Sequence, residues 1–313
     1  MKGKKRAALA LGALAALPPL SAYALFRLGF CRTGHNIFFS TDALFDKYRR
    51  AIEAEARWLE SLPREKLTIR SFDGLRLSAR YFPREGSRGT MLLVHGYRSL
   101  GSHDFALALR YFYEQGFSIL LPDGRVCGES EGKYITFGVF ERYDCVSWAK
   151  EASRRFGKDR PLYLCGISMG ATAVLCASCL GLPGNVRGIV ADCGFTTPRA
   201  MIGIVAKRAH IPAFPTLALI EGYCKRLAGF GFDDCSTVSS LEKSDIPVLF
   251  VHGDADAVVP PEMTLENYRA CRAHKRLLLA EGAGHGESFA AANDRFRAEF
   301  EAFIDETIED ARV

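Results

Sequence analysis

Hydrophobic positions in this chain come as short unbroken runs separated by longer stretches of mixed character. TMLLVHG (90–96), FSILLPD (117–123), PLYLCG (161–166), RGIVAD (187–192), IPVLFVHG (246–253) and RLLLAEG (276–282) are almost wholly apolar. A strand with one wet face alternates, whereas a strand that is apolar throughout belongs in a parallel sheet covered on both sides. Helical spacing fills the intervals, over 103–115 up to Gly116, over 137–156 and over 286–308. Upstream, LTIRSF and LRLSARYF flank Asp73-Gly74, a strong hairpin signal. Residues 41–62 read as a helix charged on one side, closed by Pro63. The pattern predicts an α/β fold, a mostly parallel sheet with helices on both faces. One interval breaks the alternation: residues 196–243 hold no strand and are too long for a loop, which predicts a helical cap insertion.

The N-terminus follows another pattern. Lys2, Lys4, Lys5 and Arg6 precede an unbroken apolar run from Ala7 to Leu17, and after Pro18-Pro19 the run resumes to Phe26. Roughly twenty such residues suffice to span a bilayer. Residues 1–30 are therefore expected to be a signal-anchor with its basic end inside and the body outside. The alternative is a signal peptide cleaved near Ala24, at the small-x-small site Ala22-Tyr23-Ala24, which would give a secreted protein. Apolar residues continuing to Leu28 and Phe30 favour the anchor, and the lack of a polar face argues against a buried N-terminal helix. The expected organisation is this segment, an extension with a helix over 31–63, and an α/β domain over 64–313 carrying the cap at 196–243.

The formal charge of +5 is local, since five of the 41 basic residues and no acidic ones stand in the first thirty positions. The remaining basic residues match the 36 acidic ones, so the body has no electrostatic footprint for nucleic acid. Ten cysteines, at 31, 127, 145, 165, 176, 179, 193, 224, 235 and 271, follow no repeating interval, and several lie inside apolar runs. They read as small buried hydrophobes. They pull weakly toward a reducing compartment and so against export. Cys176-Ala-Ser-Cys179 lacks a second pair at zinc spacing, and no metal or other cofactor is expected.

Two segments match G-x-S-x-G. Gly128-Glu129-Ser130-Glu131-Gly132 is neither entered by a strand nor left by a helix, whereas Gly166-Ile167-Ser168-Met169-Gly170 follows the run PLYLC and opens a helical run. A nucleophile elbow needs that strand-to-helix turn to lift the serine clear of the sheet edge, so Ser168 is the candidate and Ser130 the decoy. A serine hydroxyl needs a base. His285, on the glycine-rich loop EGAGHGESF after the last strand, is placed to serve. His95 and His252 each end a strand as an HG pair and read as loop packing, while His35, His103, His210 and His274 read as surface or satisfied residues. The acid should lie between serine and histidine after a strand, where LFVHGDADAVVP offers Asp254 and Asp256.

In order and spacing, LLVHGY, LPDGRVCGESEG, LCGISMG, IPVLFVHGDADAVVP and GAGHG resemble the α/β-hydrolase superfamily from about Leu67 to Phe303, particularly its serine-aminopeptidase-like and monoacylglycerol-lipase-like branch. The resemblance implies Asp256 as the acid, at the fifth position of HGxxD, and an oxyanion hole formed by the backbone N–H groups of Tyr97 and Met169. Cys127 stands where such proteins often carry a histidine. The expected activity is hydrolysis of small-molecule carboxylic esters through an acyl-enzyme. Aminopeptidase-like cleavage and acyl transfer are the alternatives on the same three residues, and a catalytically silent, membrane-tethered binding protein is the non-enzymatic one. Ile202, Ile204, Phe214, Leu217, Leu219 and Ile220 of the cap are expected either to wall an acyl pocket or simply to pack the insertion onto the domain.

Overall fold

The computed structural model describes residues 18–32 and 42–309. Helix α1 (18–30) is followed by α2 (Asp42–Ser61) and then by a single eight-stranded sheet. Its strands, in chain order, are β1 (Glu65–Arg70), β2 (Arg76–Phe82), β3 (Gly89–Val94), β4 (Phe117–Pro122), β5 (Leu162–Ile167), β6 (Val186–Asp192), β7 (Val248–Gly253) and β8 (Lys275–Ala280). They lie side by side as β1-β2-β4-β3-β5-β6-β7-β8. The expected hairpin is β1–β2, pairing Glu65 with Tyr81 and Arg70 with Arg76. β2 runs antiparallel to β4, and the strands from β4 onward are parallel. The apolar runs are those parallel strands: every residue of β4 and of β7 is buried.

Two helical layers cover the sheet. On one face α5 (Glu141–Phe156), α6 (Met169–Ala177) and the end of α10 (Pro261–Ala270) pack around Trp148, Leu164, Val174 and Phe250. On the other, α2, α4 (Leu109–Glu114) and α12 (Asn293–Glu309) pack around Phe112, Phe117, Phe300 and Phe303. The helix expected over 103–115 is two short ones, α3 (Gly101–Asp104) and α4, and the one expected over 286–308 is α11 (Ser288–Ala291) followed by α12. Between β6 and β7 stand α7 (Pro198–Arg208), α8 (Ala218–Tyr223) and α9 (Thr237–Leu241), with wide helical turns at Ala213–Leu217 and Cys224–Ala228. This is the helical insertion the pattern required.

A third apolar cluster joins α1 to the insertion. Ala22, Phe26 and Phe30, spaced four apart and hence on one helical face, are buried among Phe137, Ile220, Phe230 and Phe232. Beyond Phe30 the chain pairs with 133–135: Ile135 N–H donates to Phe30 O (2.8 Å) and Arg32 N–H to Lys133 O (3.0 Å). This corrects two expectations. The segment read as unsuited to a buried helix for want of a polar face does bury one helical face, and residues 18–30 pack on the body. The eleven residues Ala7–Leu17 are fewer than the roughly twenty a span needs, so a spanning segment would have to draw on residues whose side chains the domain already buries. Among the described residues no helix is long and apolar enough to cross a membrane, and residues 1–17 lie outside them.

The ten cysteines are free, nine buried and Cys179 half-buried. Cys176 and Cys235 lie closest, with sulfurs 2.7 Å apart.

The seat of α6 is set by glycine. A β-carbon on Gly170 would stand 2.0 Å from Val94 O, and one on Gly166 2.4 Å from Gly170 O. Neither approach is possible, so α6 rests on the ends of β3 and β5 with backbone against backbone. Gly170→Ala should therefore cost about 3 kcal/mol or more, the upper end of overpacking penalties. Gly203→Ala in α7, where a β-carbon meets nothing within 4 Å, should instead gain about 0.5–1 kcal/mol from helix propensity. Urea titrations of the two variants check the pair.

Candidate active site

β5 delivers Ser168 into α6 through a turn that no ordinary backbone makes. Ser168 has φ 57° and ψ −118°, a left-handed conformation that costs a side-chain-bearing residue on the order of 1–3 kcal/mol. Its N–H donates to Asp192 O at the end of β6 (2.8 Å), and α6 begins at the next residue. Thr172 ties α6 to the loop after β6, its hydroxyl donating to Phe195 O and accepting from Phe195 N–H. The strain is held by fixed backbone on both sides.

His285 sits on the loop after β8, between Gly282 (φ 67°) and Gly286 (φ 70°), which turn the chain back toward the sheet edge. The loop reaches Gly253 at the end of β7, where a β-carbon would meet Ala283 O at 2.3 Å. His285 Nε2 lies 3.0 Å from Ser168 Oγ, and Nδ1 lies 2.7 Å from Asp256 Oδ2. A carboxylate can only accept, so Nδ1 carries the proton and Nε2 is left to take one from the serine.

Asp256 is buried, and each of its oxygens is bonded. Oδ1 accepts the N–H groups of Val258 (2.6 Å) and Val259 (2.9 Å). Oδ2 faces His285 and also His252 Nε2, at 3.1 Å. His252 Nε2 also meets Val259 O at 3.0 Å, while Nδ1 meets the Thr264 hydroxyl at 2.6 Å. Two acceptors at Nε2 place a proton there. Burial raises the Asp256 carboxyl, but bonds from His252, His285 and Val258 outweigh it and hold the group well below the usual carboxylate range. His252 was expected only to pack its loop. Its position at the strand end was legible, its contact with the acid was not. Asp254, the other sequence candidate, accepts the Gly282 N–H (2.7 Å) and shapes the turn.

Three more residues went unrecognised in the sequence. Asp192, wholly buried, accepts the Ser288 hydroxyl (2.9 Å), and burial pushes its carboxyl up. Asp104 on α3 accepts the Gly96 N–H (2.7 Å) and the Ser99 hydroxyl (2.5 Å), which fixes the loop leading to Tyr97. Burial raises the Asp104 carboxyl, and the bonds from His103 and its other partners bring it below its ordinary value. Arg32, from the N-terminal segment, lines the cavity over Ser168. His95 packs its loop as expected, with Nδ1 donating to Gly96 O (2.7 Å) and Nε2 accepting Gly124 N–H (2.8 Å).

A β-carbon on Gly96 would lie 3.4 Å from Ser168 Cβ, so the loop carrying Tyr97 runs directly beside the serine. Met169 is the first residue of α6, and its N–H is among those a helix leaves without an internal partner. The two backbone groups expected to form an oxyanion hole thus flank Ser168. Ser130 is buried in a structural bond pair, donating to Asp123 O and accepting Ser78 N–H. Cys193 Sγ clusters with donor atoms of Asp256 and His285 within 4.8 Å, the one such group among the described residues, but burial keeps that thiol protonated and the other two bond each other.

The cavity over Ser168 and His285 measures about 470 Å³. Val126, Cys127, Ile135, Ile167 and Leu100 form its apolar lining, and Arg32, Arg98, His103 and Asp104 supply its charged and titratable groups. Burial pushes the Cys127 thiol up to about 12, so it stays protonated. The cap does not line this cavity. Ile202, Leu217 and Ile220 face a separate small apolar hollow against Leu25, Gly29 and Phe30, and Phe214 is 85% exposed. Of the two uses expected for the six cap residues, packing is the one observed for Ile202 and Ile220.

α1 instead reaches the site through Tyr97 and Arg98. The Tyr97 hydroxyl donates to Gly29 O (2.7 Å), and Arg98 Nη2 donates to Leu28 O and Cys31 O (2.7 Å each). Phe26→Ala should therefore cost about 3–5 kcal/mol, measurable by denaturant unfolding. A cost below about 1 kcal/mol would mean that α1 is not packed on the domain.

Comparison with known proteins places the chain among related sequences and folds. The model of the prolyl oligopeptidase family matches residues 103–311. The Bacillus subtilis protein YqkD is 24% identical over 250 residues, covering 79% of this chain and 81% of its own. The Saccharomyces cerevisiae membrane protein YNL320W is 27% identical over 216 residues, 67% of this chain and 69% of that one. Among solved structures, the Pyrococcus furiosus esterase Pf2001 superposes with a TM-score of 0.63 at 19% identity, over 79% of this chain and 92% of that one. The α/β-hydrolase fold expected from the motifs is thereby borne out, and the family match does not single out the narrower branch.

Proposed function

The chain belongs to the prolyl oligopeptidase family, within the α/β-hydrolase superfamily, and we propose that it is a serine esterase forming an acyl-enzyme at Ser168. The observation that carries this reading is the unbroken line Asp256 Oδ2–His285–Ser168 Oγ, with contacts of 2.7 and 3.0 Å, at the base of a 470 Å³ cavity. In this mechanism His285 Nε2 takes the serine proton as Oγ attacks the ester carbonyl. Asp256 keeps the ring in the needed tautomer and stabilises the imidazolium that forms. The developing oxyanion sits between the N–H groups of Tyr97 and Met169, each donor worth about 2.7–4 kcal/mol in comparable sites. His285 then protonates the departing alcohol, and water repeats the sequence on the acyl-enzyme.

The family match favours a second reading, cleavage of a peptide bond by the same groups. A site for a peptide's free amino end calls for uncommitted carboxylates. Among the described residues the one carboxylate lining the cavity, Asp104, is already bonded to Gly96, Ser99 and His103. This supports the ester reading over aminopeptidase-like cleavage. Transfer of the acyl group to an acceptor other than water would use the same first half-reaction.

With p-nitrophenyl acetate as substrate, Ser168→Ala should lower kcat/KM by about four to six orders of magnitude, and Asp256→Asn by about four in kcat. Ser130→Ala, which touches neither group, should cost about 1–3 kcal/mol of stability and leave turnover within a few-fold. A fluorophosphonate probe should label Ser168 and no other serine. Labelling without turnover of any ester or aminoacyl amide would favour the catalytically silent binding reading.

Membrane association through the N-terminal segment remains part of the proposal, supported by the basic start and apolar run of residues 1–17 and by the yeast relative's description as a membrane protein. The catalytic body would then lie on the side opposite the basic end. The full chain bearing a C-terminal tag should sediment with membranes. Recovery of a mature chain starting at Leu25 would establish the secreted alternative instead.

A further inference from the structure

The cavity over Ser168 is walled on one side by arginine. Arg32 enters from the N-terminal segment, and Arg98 from the loop that carries Tyr97. Arg32 Nη1 donates to Ser130 O and Nη2 to Gly128 O, each at 3.1 Å. Both acceptors are neutral backbone oxygens. They orient the guanidinium plane but do not neutralise its charge, and they occupy two of its five N–H donors. Arg98 is held in place by Leu28 O and Cys31 O. Among the described residues the single carboxylate on the cavity wall, Asp104, is bonded to its own loop. The cavity thus brings apolar side chains, the candidate nucleophile and the Arg32 guanidinium together.

Resting on the serine-esterase reading above, we propose that the preferred substrates are esters carrying a second, anionic oxyacid group, a carboxylate or a phosphate, which Arg32 holds at the cavity wall while the scissile carbonyl lies at Ser168. A guanidinium presents parallel N–H groups that match the two oxygens of such a group, which an ammonium cannot do. The chain also spends structure on the placement, since Arg32 is carried by a segment whose strand-like pairing with 133–135 and buried Phe30 fix where it emerges.

The test compares two esters of similar size on the full-length enzyme, p-nitrophenyl butyrate and mono-p-nitrophenyl glutarate. Wild type should favour the glutarate ester in kcat/KM. Arg32→Gln should lower the glutarate-to-butyrate ratio by about tenfold, equivalent to about 1.4 kcal/mol, mainly through KM, with Arg32→Lys between the two. The preference should weaken in salt as screening grows. Free glutarate and inorganic phosphate, tested as competitive inhibitors, distinguish the carboxylate from the phosphate version. A wild-type preference for butyrate, or a ratio that Arg32→Gln leaves unchanged in protein of normal unfolding midpoint, overturns the proposal. If neither ester is turned over, the esterase reading fails by itself. Calorimetry then still reads the anion site: glutarate or phosphate should bind wild type about tenfold more tightly than Arg32→Gln, and equal or absent binding rejects it.

Discussion

The site depends on one steric constraint, the close approach of α6 to the ends of β3 and β5. Gly170 leaves no room for a side chain against Val94 O, and Gly166 none against the backbone of Gly170. With those contacts in place the turn between them has little freedom, and Ser168 is held at φ 57°. The same seat puts Met169 N–H at the start of the helix and brings the loop of Gly96 and Tyr97 alongside the serine. A displacement of α6 by the width of a methyl group would shift the Ser168 hydroxyl and Met169 N–H relative to the loop of Gly96 and Tyr97. The conformational cost of the elbow is offset by the sheet and helix packing around it, which is why the strain can persist at this point and nowhere softer.

Electrostatics completes what sterics begins. Asp256 is buried yet remains ionised because two imidazoles and two backbone N–H groups surround it. Of the two histidines, only His285 reaches the serine. His252 is fixed by the Thr264 hydroxyl and Val259 O, and it holds the carboxylate from the other side. A carboxylate supported this way cannot rotate to follow His285, so the imidazole must come to it. That makes the loop after β8, turned by Gly282 and Gly286, the element whose position sets the 3.0 Å contact with Ser168.

The fold was legible in the sequence because its core strands are apolar on both sides and its one hairpin carries Asp73-Gly74. The candidate nucleophile and base were legible for a related reason, since strand, turn and helix are local features that distinguish the 166–170 match from the 128–132 one. What remained hidden were the contacts that buttress the candidate site. Asp104 beneath Gly96, Asp192 beside Ser288 and His252 against Asp256 carry no motif of their own. The apolar residues of the cap were open to two uses, an acyl wall or packing, because helical spacing serves both and only neighbours decide between them.

The N-terminal segment shows how far composition can mislead. Ala22, Phe26 and Phe30 form a stripe that a helical reading would detect in a polar background. Here Tyr23, Leu25 and Leu28 fill the intervening positions, so the stripe vanishes into a uniformly apolar run. Phe26 and Phe30 nevertheless pack against aromatic residues from both the body and the insertion. The backbone behind them bonds Tyr97 and Arg98, the residues next to the serine. One segment therefore presents an apolar face to the domain, carbonyl groups to the loop of Tyr97 and Arg98 and, at Arg32, a cation to the cavity. Any tether at the chain's start acts on a helix whose carbonyl groups hold Tyr97 and Arg98, so a pull on that helix reaches the loop beside the serine.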